Sequence, residues 1–331
     1  MEPTPAQPES LPLSPNPLGK KNPRLARLRL LLSLALLAAF AVLAFFYVLS
    51  HRGEFQDVLS RPLRVAPLAL LPLAYFLTYL VNGEINRWAL KVHALEISFR
   101  ENLALTLSTA AVNYFLPFKG ALALRALYLK TRHGLTLADF LSQAALVTVA
   151  TLSLSSLFAL LGLLFWGGGE EKARLALGLY FFLILAAGVA SLAVGRLPLR
   201  LPGQMAAVLA SWDRYRKNPR WLASVIFADA LYYSLWCFAN WLSLDAIGVR
   251  LSLSATLFYG AGQIHALLIN LTPAGLGVME SFSVFAGKLL DFAPAEALLA
   301  QAVNRLSAVA ILVVTGLMGW AYLTFFLKKK A

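Results

Sequence analysis

The sequence predicts an all-α polytopic membrane protein of about six spans, with two broken, re-entrant segments arranged as an inverted repeat. Three observations predict it. Of the 331 residues, 59% are hydrophobic and only 14% charged, and the mean hydropathy is +0.69; soluble domains carry about 25% charged residues. Several stretches stay apolar for about 20 residues, the length that crosses a bilayer. Within two of them a short motif recurs, as Asn113-Tyr-Phe-Leu-Pro-Phe-Lys-Gly120 running on to Arg125, and as Asn270-Leu-Thr-Pro-Ala-Gly-Leu-Gly277 running on to Glu280. Proline lacks a backbone donor and glycine tolerates unusual dihedrals, so a helix breaks at Pro117 and Gly120, and again at Pro273, Gly275 and Gly277. Such a break is tolerated at membrane depth only where it is buried in protein or lines a wet cavity. A matched pair of interrupted segments points to the binding site of a transporter.

In chain order, residues 1–23 are rich in Pro, Ser and Asn and are expected to form a disordered cytoplasmic tail. Residues 24–330 are expected to form one transmembrane domain. Lys20, Lys21, Arg24, Arg27 and Arg29 precede the apolar run Leu30–Ser50. That run is long for a signal peptide, and Tyr47-Val48-Leu49-Ser50 is a poor cleavage site, so it reads as an uncleaved first span. A second span covers Val65–Val81 and ends in the polar stretch from Asn82 to Trp88. The first broken segment runs from Leu103 to Leu129. Further spans are Asp139–Phe165, with Asp139 as N-cap, and Arg174–Val194. A basic loop holding Arg196, Arg200, Arg214, Arg216, Lys217 and Arg220 leads to the span Trp221–Leu244. The second broken segment is Leu253–Leu290. The last span, Ala295–Leu327, ends in Lys328-Lys329-Lys330.

Landmarks recur in order at an offset of about 153–158 residues. Trp88 and Ile97-Ser98 correspond to Trp241 and Leu251-Ser252; Asn113, Pro117 and Gly120 correspond to Asn270, Pro273 and Gly277. Gln143, after the acidic helix start at Asp139, corresponds to Gln301 after Glu296. Two copies follow, about 62–166 and 219–328. If each broken segment dips in and returns on the same side, the basic tail, Lys119–His133, Arg196–Arg220 and the final lysines are all cytoplasmic, as the positive-inside rule requires. Both termini are then cytoplasmic, the protein lies in a bacterial inner membrane, and the repeats are inverted. If the segments cross fully, there are eight spans and parallel repeats, and Lys119–His133 faces out.

Charges inside spans mark candidate sites, because each costs about 2.5–3.5 kcal/mol at bilayer centre. Arg305 lies about ten residues into the last span, roughly 15 Å deep. It is placed to hold a lipid phosphate, or to pair with a carboxylate such as Asp229 or Glu280. Gln301 and Asn304 lie beside it. Arg125 follows the first break, where helix N-termini favour anions. Asn113 and Asn270 either bond a headgroup or cap the broken helices. Glu280 caps the second half-helix and can balance Arg305. Gly275 and Gly277 are expected to permit close backbone packing. Glu84 and Arg87 read as a surface pair, and Lys119, Lys130 and Arg132 as ordinary cytoplasmic positives.

Other classes find little support. The net charge of +13 clusters at the ends of apolar segments, where it sets orientation and meets anionic lipid rather than nucleic acid. The lone Cys237 excludes an internal disulfide framework and a multi-cysteine metal site. The four histidines, His51, His93, His133 and His265, have no metal-ligand spacing. No phosphate-binding glycine loop or nucleophile elbow is present. No cofactor is expected, and the chain is not expected to be an enzyme.

At the repeat motifs the chain resembles the transmembrane domain of lysylphosphatidylglycerol synthases, the flippase-like family. Arg87-Trp88 after an early span matches that family, as does the block Asn113, Pro117, Gly120, Arg125. So do Pro273, Gly275, Gly277 and Glu280, with Arg305 in the final span. Two departures stand out: Ala121 replaces a glutamate after the first motif glycine, and the helix from Gln143 to Ser153 lacks the family's Glu-Arg and Asp. The aminoacyl-transfer domain of bifunctional relatives is absent, so the resemblance implies a stand-alone member that does not transfer lysine. It implies translocation of an anionic phospholipid or lipid-linked intermediate between leaflets. The alternatives are a membrane-embedded lipid-modifying enzyme and a non-transporting partner of one. Asn113, Arg125, Asn270, Gln301 and Arg305 are the expected headgroup contacts.

Overall fold

A computed structural model describes residues 42, 45–115, 120–166, 168, 170–193, 203–268 and 273–326. Every regular element among these residues is helical. The elements are α1 (Arg52–Ser60), α2 (Val65–Lys91), α3 (Phe99–Phe115), α4 (Gly120–His133), α5 (Leu137–Phe165), α6 (Glu171–Ser191), α7 (Gly203–Lys217), α8 (Pro219–Ala246) and α9 (Leu253–Leu268). A 3₁₀ turn (Pro273–Gly275), α10 (Val278–Leu289), α11 (Pro294–Ala321) and a π turn (Tyr322–Phe326) complete the chain. Five helices, α2, α5, α6, α8 and α11, are long and apolar enough to cross a membrane. They match five of the six expected spans. The sixth, Leu30–Ser50, lies mostly outside the described residues, as do the N-terminal tail and the C-terminal lysines. Large apolar side chains are exposed along the helices, and α6 buries only Phe181. In water that surface would aggregate; facing lipid it is solvated. The protein is a multi-pass membrane protein.

The chain turns back between α3, described to Phe115, and α4, described from Gly120, since Arg125 of α4 bonds Thr106 and Asn102 of α3; Pro117 lies outside the described residues. The second break is present at Ala274, Gly275 and Gly277, which lie at positive φ. α9 is described to Leu268, and α10 starts after Gly277. Three elements differ from expectation. α2 continues past Val81 to Lys91 because its polar stretch is satisfied sideways: Asn102 Nδ2 donates to Gly83 O at 2.6 Å, and Gln143 Nε2 to Asn86 Oδ1 at 2.8 Å. The basic loop contains α7, whose Trp212 and Tyr215 pack into a cluster with Val81, Ile85 and Val225. α5 is capped by Thr136, not Asp139: the Thr136 hydroxyl accepts from Asp139 N at 3.1 Å, and Asp139 occupies the first turn.

The two halves interlock. α2 and α8 pack antiparallel, with Lys91 over the Trp221 ring, Tyr75 edge-on to Trp236, and Arg64 N donating to Ala246 O. α3 of the first half packs antiparallel on α11 of the second, and α9 of the second packs antiparallel on α5 of the first. Small residues let these backbones approach, as in membrane helix pairs generally. A Cβ on Gly319 would lie 2.7 Å from Ala104 O, and one on Gly162 would lie 2.7 Å from Ser254 O and 3.0 Å from Phe258 N. Backbone atoms cannot yield as a flexible side chain can. Gly162→Ala is therefore expected to destabilise by about 1–3 kcal/mol, the usual cost of overpacking. Gly178→Ala, with no atom within 4 Å of the added carbon, should leave thermal unfolding in detergent unchanged or slightly raised. Equal melting of both variants would refute the interlock.

Candidate functional site

Between the halves lies a cavity of about 330 Å³. One wall comes from α2, which presents Tyr75, Tyr79, Asn82 and Asn86. α3 adds Thr106, Asn113 and Tyr114, and α4 adds Arg125. The second half supplies Tyr232 and Trp236 from α8, Ala274 from the 3₁₀ turn, and Gln301, Asn304 and Arg305 from α11. Four of the five residues expected to contact a headgroup (Asn113, Arg125, Gln301 and Arg305) thus line one space, although they are scattered over nearly two hundred residues of chain. The fifth, Asn270, lies outside the described residues. The walls join because α3 contacts the 3₁₀ turn, which brings each half's break toward the other.

Arg305 is fixed by the break itself. Its Nε donates to Glu280 Oε1 at 2.6 Å and its Nη1 to Ala274 O at 3.1 Å. Glu280 Oε2 in turn accepts from Gly277 N at 2.7 Å. Glu280 therefore caps α10 and neutralises Arg305 together. Asp229, the other carboxylate considered for Arg305, bonds to Thr151 instead. Ala274 adopts φ 50, a conformation that costs a non-glycine residue of order 1 kcal/mol or more. The bond from Arg305 to its carbonyl helps to hold it. Gly275 and Gly277 also lie at positive φ, 66 and 86. The turn requires glycine there for its backbone conformation: a Cβ on Gly275 would meet only ordinary contacts with Met279 and Leu267.

Arg125 is held differently. It is only 6% exposed, and its Nη1 and Nη2 donate to Thr106 Oγ1 at 3.2 Å and Asn102 Oδ1 at 3.0 Å. No carboxylate among the described residues pairs with it. Lys130, by contrast, is exposed, in keeping with its reading as an ordinary surface positive. Glu84 and Arg87 do pair, but half-buried rather than on the surface.

Several polar atoms around the cavity are buried and have no partner among the described residues: Arg125 Nε, Arg305 Nη2, Asn113 Oδ1 and Asn304 Oδ1. Unsatisfied buried groups are costly, and a cluster of them marks a place where a ligand or water completes the bonding. Asn113 lines the cavity. Gln301 faces it too, while donating to Tyr259 Oη at 3.2 Å. The tyrosines, Trp236, Asn82 and Asn86 were not anticipated from sequence. They occupy ordinary positions within helices, and the antiparallel α2–α8 pairing, with α3 adding Tyr114, brings them together.

Outside the spans, α7 is tied to the end of α2. His93 Nε2 meets Tyr215 Oη at 2.7 Å, and Tyr215 Oη donates to Ala89 O at 3.0 Å. Burial lowers the His93 imidazole below its usual value, against the pull of nearby Asp139.

Residues 28–316 match the family model described as the lysylphosphatidylglycerol synthase TM region. Among curated proteins no match is found.

Proposed function

The chain belongs to the lysylphosphatidylglycerol synthase TM-region family, and from that premise we propose that it moves an anionic phospholipid, or a lipid-linked phosphate intermediate, between membrane leaflets. The single observation that carries this reading is the pair of arginines, one from each half, that face the same cavity with donor nitrogens unpartnered among the described residues. Guanidinium groups match phosphate oxygens in geometry as well as charge. The charge arithmetic agrees: Arg305 is neutralised by Glu280 and Arg125 has no counter-ion among the described residues. That leaves an excess of one positive charge, the complement of a phosphodiester.

The fold supports a transport geometry. The first spans of the two halves run antiparallel, and the broken helix of each half packs on the last span of the other. This exchange favours an inverted repeat with two re-entrant segments over parallel repeats with eight full crossings. Binding at the repeat interface, beside broken helices, is how such transporters work. In this reading the basic loops, the tail and both termini face the cytoplasm of a bacterium. No carboxylate, imidazole or thiol appears among the described lining residues, a composition that supports binding over bond-making, so the reading is of a transporter and not an enzyme.

Purified protein in liposomes with labelled phosphatidylglycerol tests this. The expected result is faster leaflet exchange of the anionic lipid than in protein-free vesicles, with no such acceleration for phosphatidylcholine. Absence of exchange with every anionic lipid offered would overturn translocation and favour a non-transporting partner of a membrane enzyme.

A further inference from the structure

α5 carries no charged side chain after Asp139, yet a carboxyl group from a neighbouring helix is packed against it. Asp229 lies about ten residues into α8, roughly 15 Å along its axis, and is only 1% exposed. Thr151 of α5 donates to its Oδ1 at 2.8 Å, and its Oδ2 has no partner among the described residues. Its chain neighbour Ala228 belongs to the apolar cluster formed with Val81, Ile85, Trp212 and Tyr215. Its own helix adds Tyr232, one turn on, whose side chain lines the cavity. No cation among the described residues pairs with it. The register set by Lys91 over Trp221 and Tyr75 against Trp236 brings residue 229 level with Asn82, another cavity residue.

A bare carboxylate in such a place is disfavoured, since no cation among the described residues offsets its burial. A carboxylic acid suits it: the free oxygen carries the proton, and the other accepts from Thr151. We propose that Asp229 is a proton-binding site that couples lipid movement to proton movement, a reading that rests on the translocation function above. A proton taken up at Oδ2 from one side and released to the other accompanies the singly negative headgroup. The combined crossing carries no net charge, so the membrane potential does not oppose it. No bond other than the O–H bond is made or broken.

The test uses the whole protein in liposomes that hold labelled phosphatidylglycerol and a one-unit pH difference, with protein-free vesicles subtracted. One-to-one coupling predicts enrichment of label in the leaflet facing the more alkaline compartment, approaching about tenfold, because one pH unit is a tenfold ratio of proton activity. Asp229→Asn fixes the neutral form and should leave the two leaflets equally labelled. Thr151→Val, which keeps the carboxyl, should keep the enrichment. It serves as the second variant if Asp229→Asn does not fold. Infrared spectra at neutral pH give an independent readout, a protonated-carboxyl band present in the wild type and missing in Asp229→Asn. Exchange that ignores the gradient, or enrichment that survives in Asp229→Asn, would overturn the coupling alone. A missing carboxyl band would overturn the proton site. Loss of all exchange in the wild type at every pH would overturn the translocation reading and the coupling with it.

Discussion

Arg305→Ala is expected to abolish accelerated leaflet exchange and to lower stability by about 3–5 kcal/mol, the cost of leaving one member of a buried ion pair alone. The two losses have separate origins. Stability falls because Glu280 is left without its counter-charge, bonded among the described residues by Gly277 N alone, and because Ala274 loses the bond that steadies its left-handed backbone. Exchange falls because the cavity loses the donor Nη2 and the second guanidinium. The double variant Glu280→Gln/Arg305→Ala separates them. A neutral amide can still accept from Gly277 N, so much of the lost stability should return in thermal unfolding while exchange stays absent. Exchange retained by Arg305→Ala would make the residue a clamp on the break and nothing more.

Arg125→Met should reduce exchange of anionic lipid by about 10- to 100-fold, the rate equivalent of roughly 1.5–3 kcal/mol for a hydrogen bond to a charged group. Methionine retains much of the aliphatic stem but removes the only cavity cation that lacks an ion-pair partner among the described residues. The structural cost should be smaller than at Arg305. Asn102 keeps its bond to Gly83 O, and the loss is confined to the neutral acceptors Asn102 Oδ1 and Thr106 Oγ1. Arg125→Lys keeps the charge without the planar fork, so it should fall between the two. Leaflet exchange measured beside the unfolding temperature checks the series. Exchange at the wild-type level in Arg125→Met would remove this residue from the path.

What was legible from sequence follows from the range over which each force acts. The spans depend on hydropathy summed over about 20 consecutive residues, and the breaks depend on Pro and Gly acting on their own backbone. Both are local, and α2, α5, α6, α8 and α11 appear where expected, as does the non-helical backbone at Ala274, Gly275 and Gly277. Arg305 stood out because a cation deep in a span is costly wherever it points. Its partner did not: Glu280 and Asp229 were equal candidates until the break folded back against α11 and placed Glu280 2.6 Å away.

The polar end of α2 shows the same division. Asn82 to Arg87 ends a hydropathy window, so sequence places it at a surface. Lateral bonds from Asn102 and Gln143 keep it helical within the bundle. The glycines of the second break were visible as glycines, but their need for left-handed backbone appears only in the φ values of 66 and 86. Sequence alone thus determined a multi-pass helical membrane protein, two breaks and the cations near them, because those properties belong to single segments in contact with lipid. Tertiary structure decided the cavity, its tyrosine and asparagine lining, the Arg305–Glu280 pair and the isolation of Asp229. The cavity and its lining depend on antiparallel contacts between residues more than a hundred positions apart, where small residues allow the close approach that pairing requires; the Arg305–Glu280 pair and the Thr151–Asp229 bond, 25 and 78 positions apart, depend on how the helices fold back on one another.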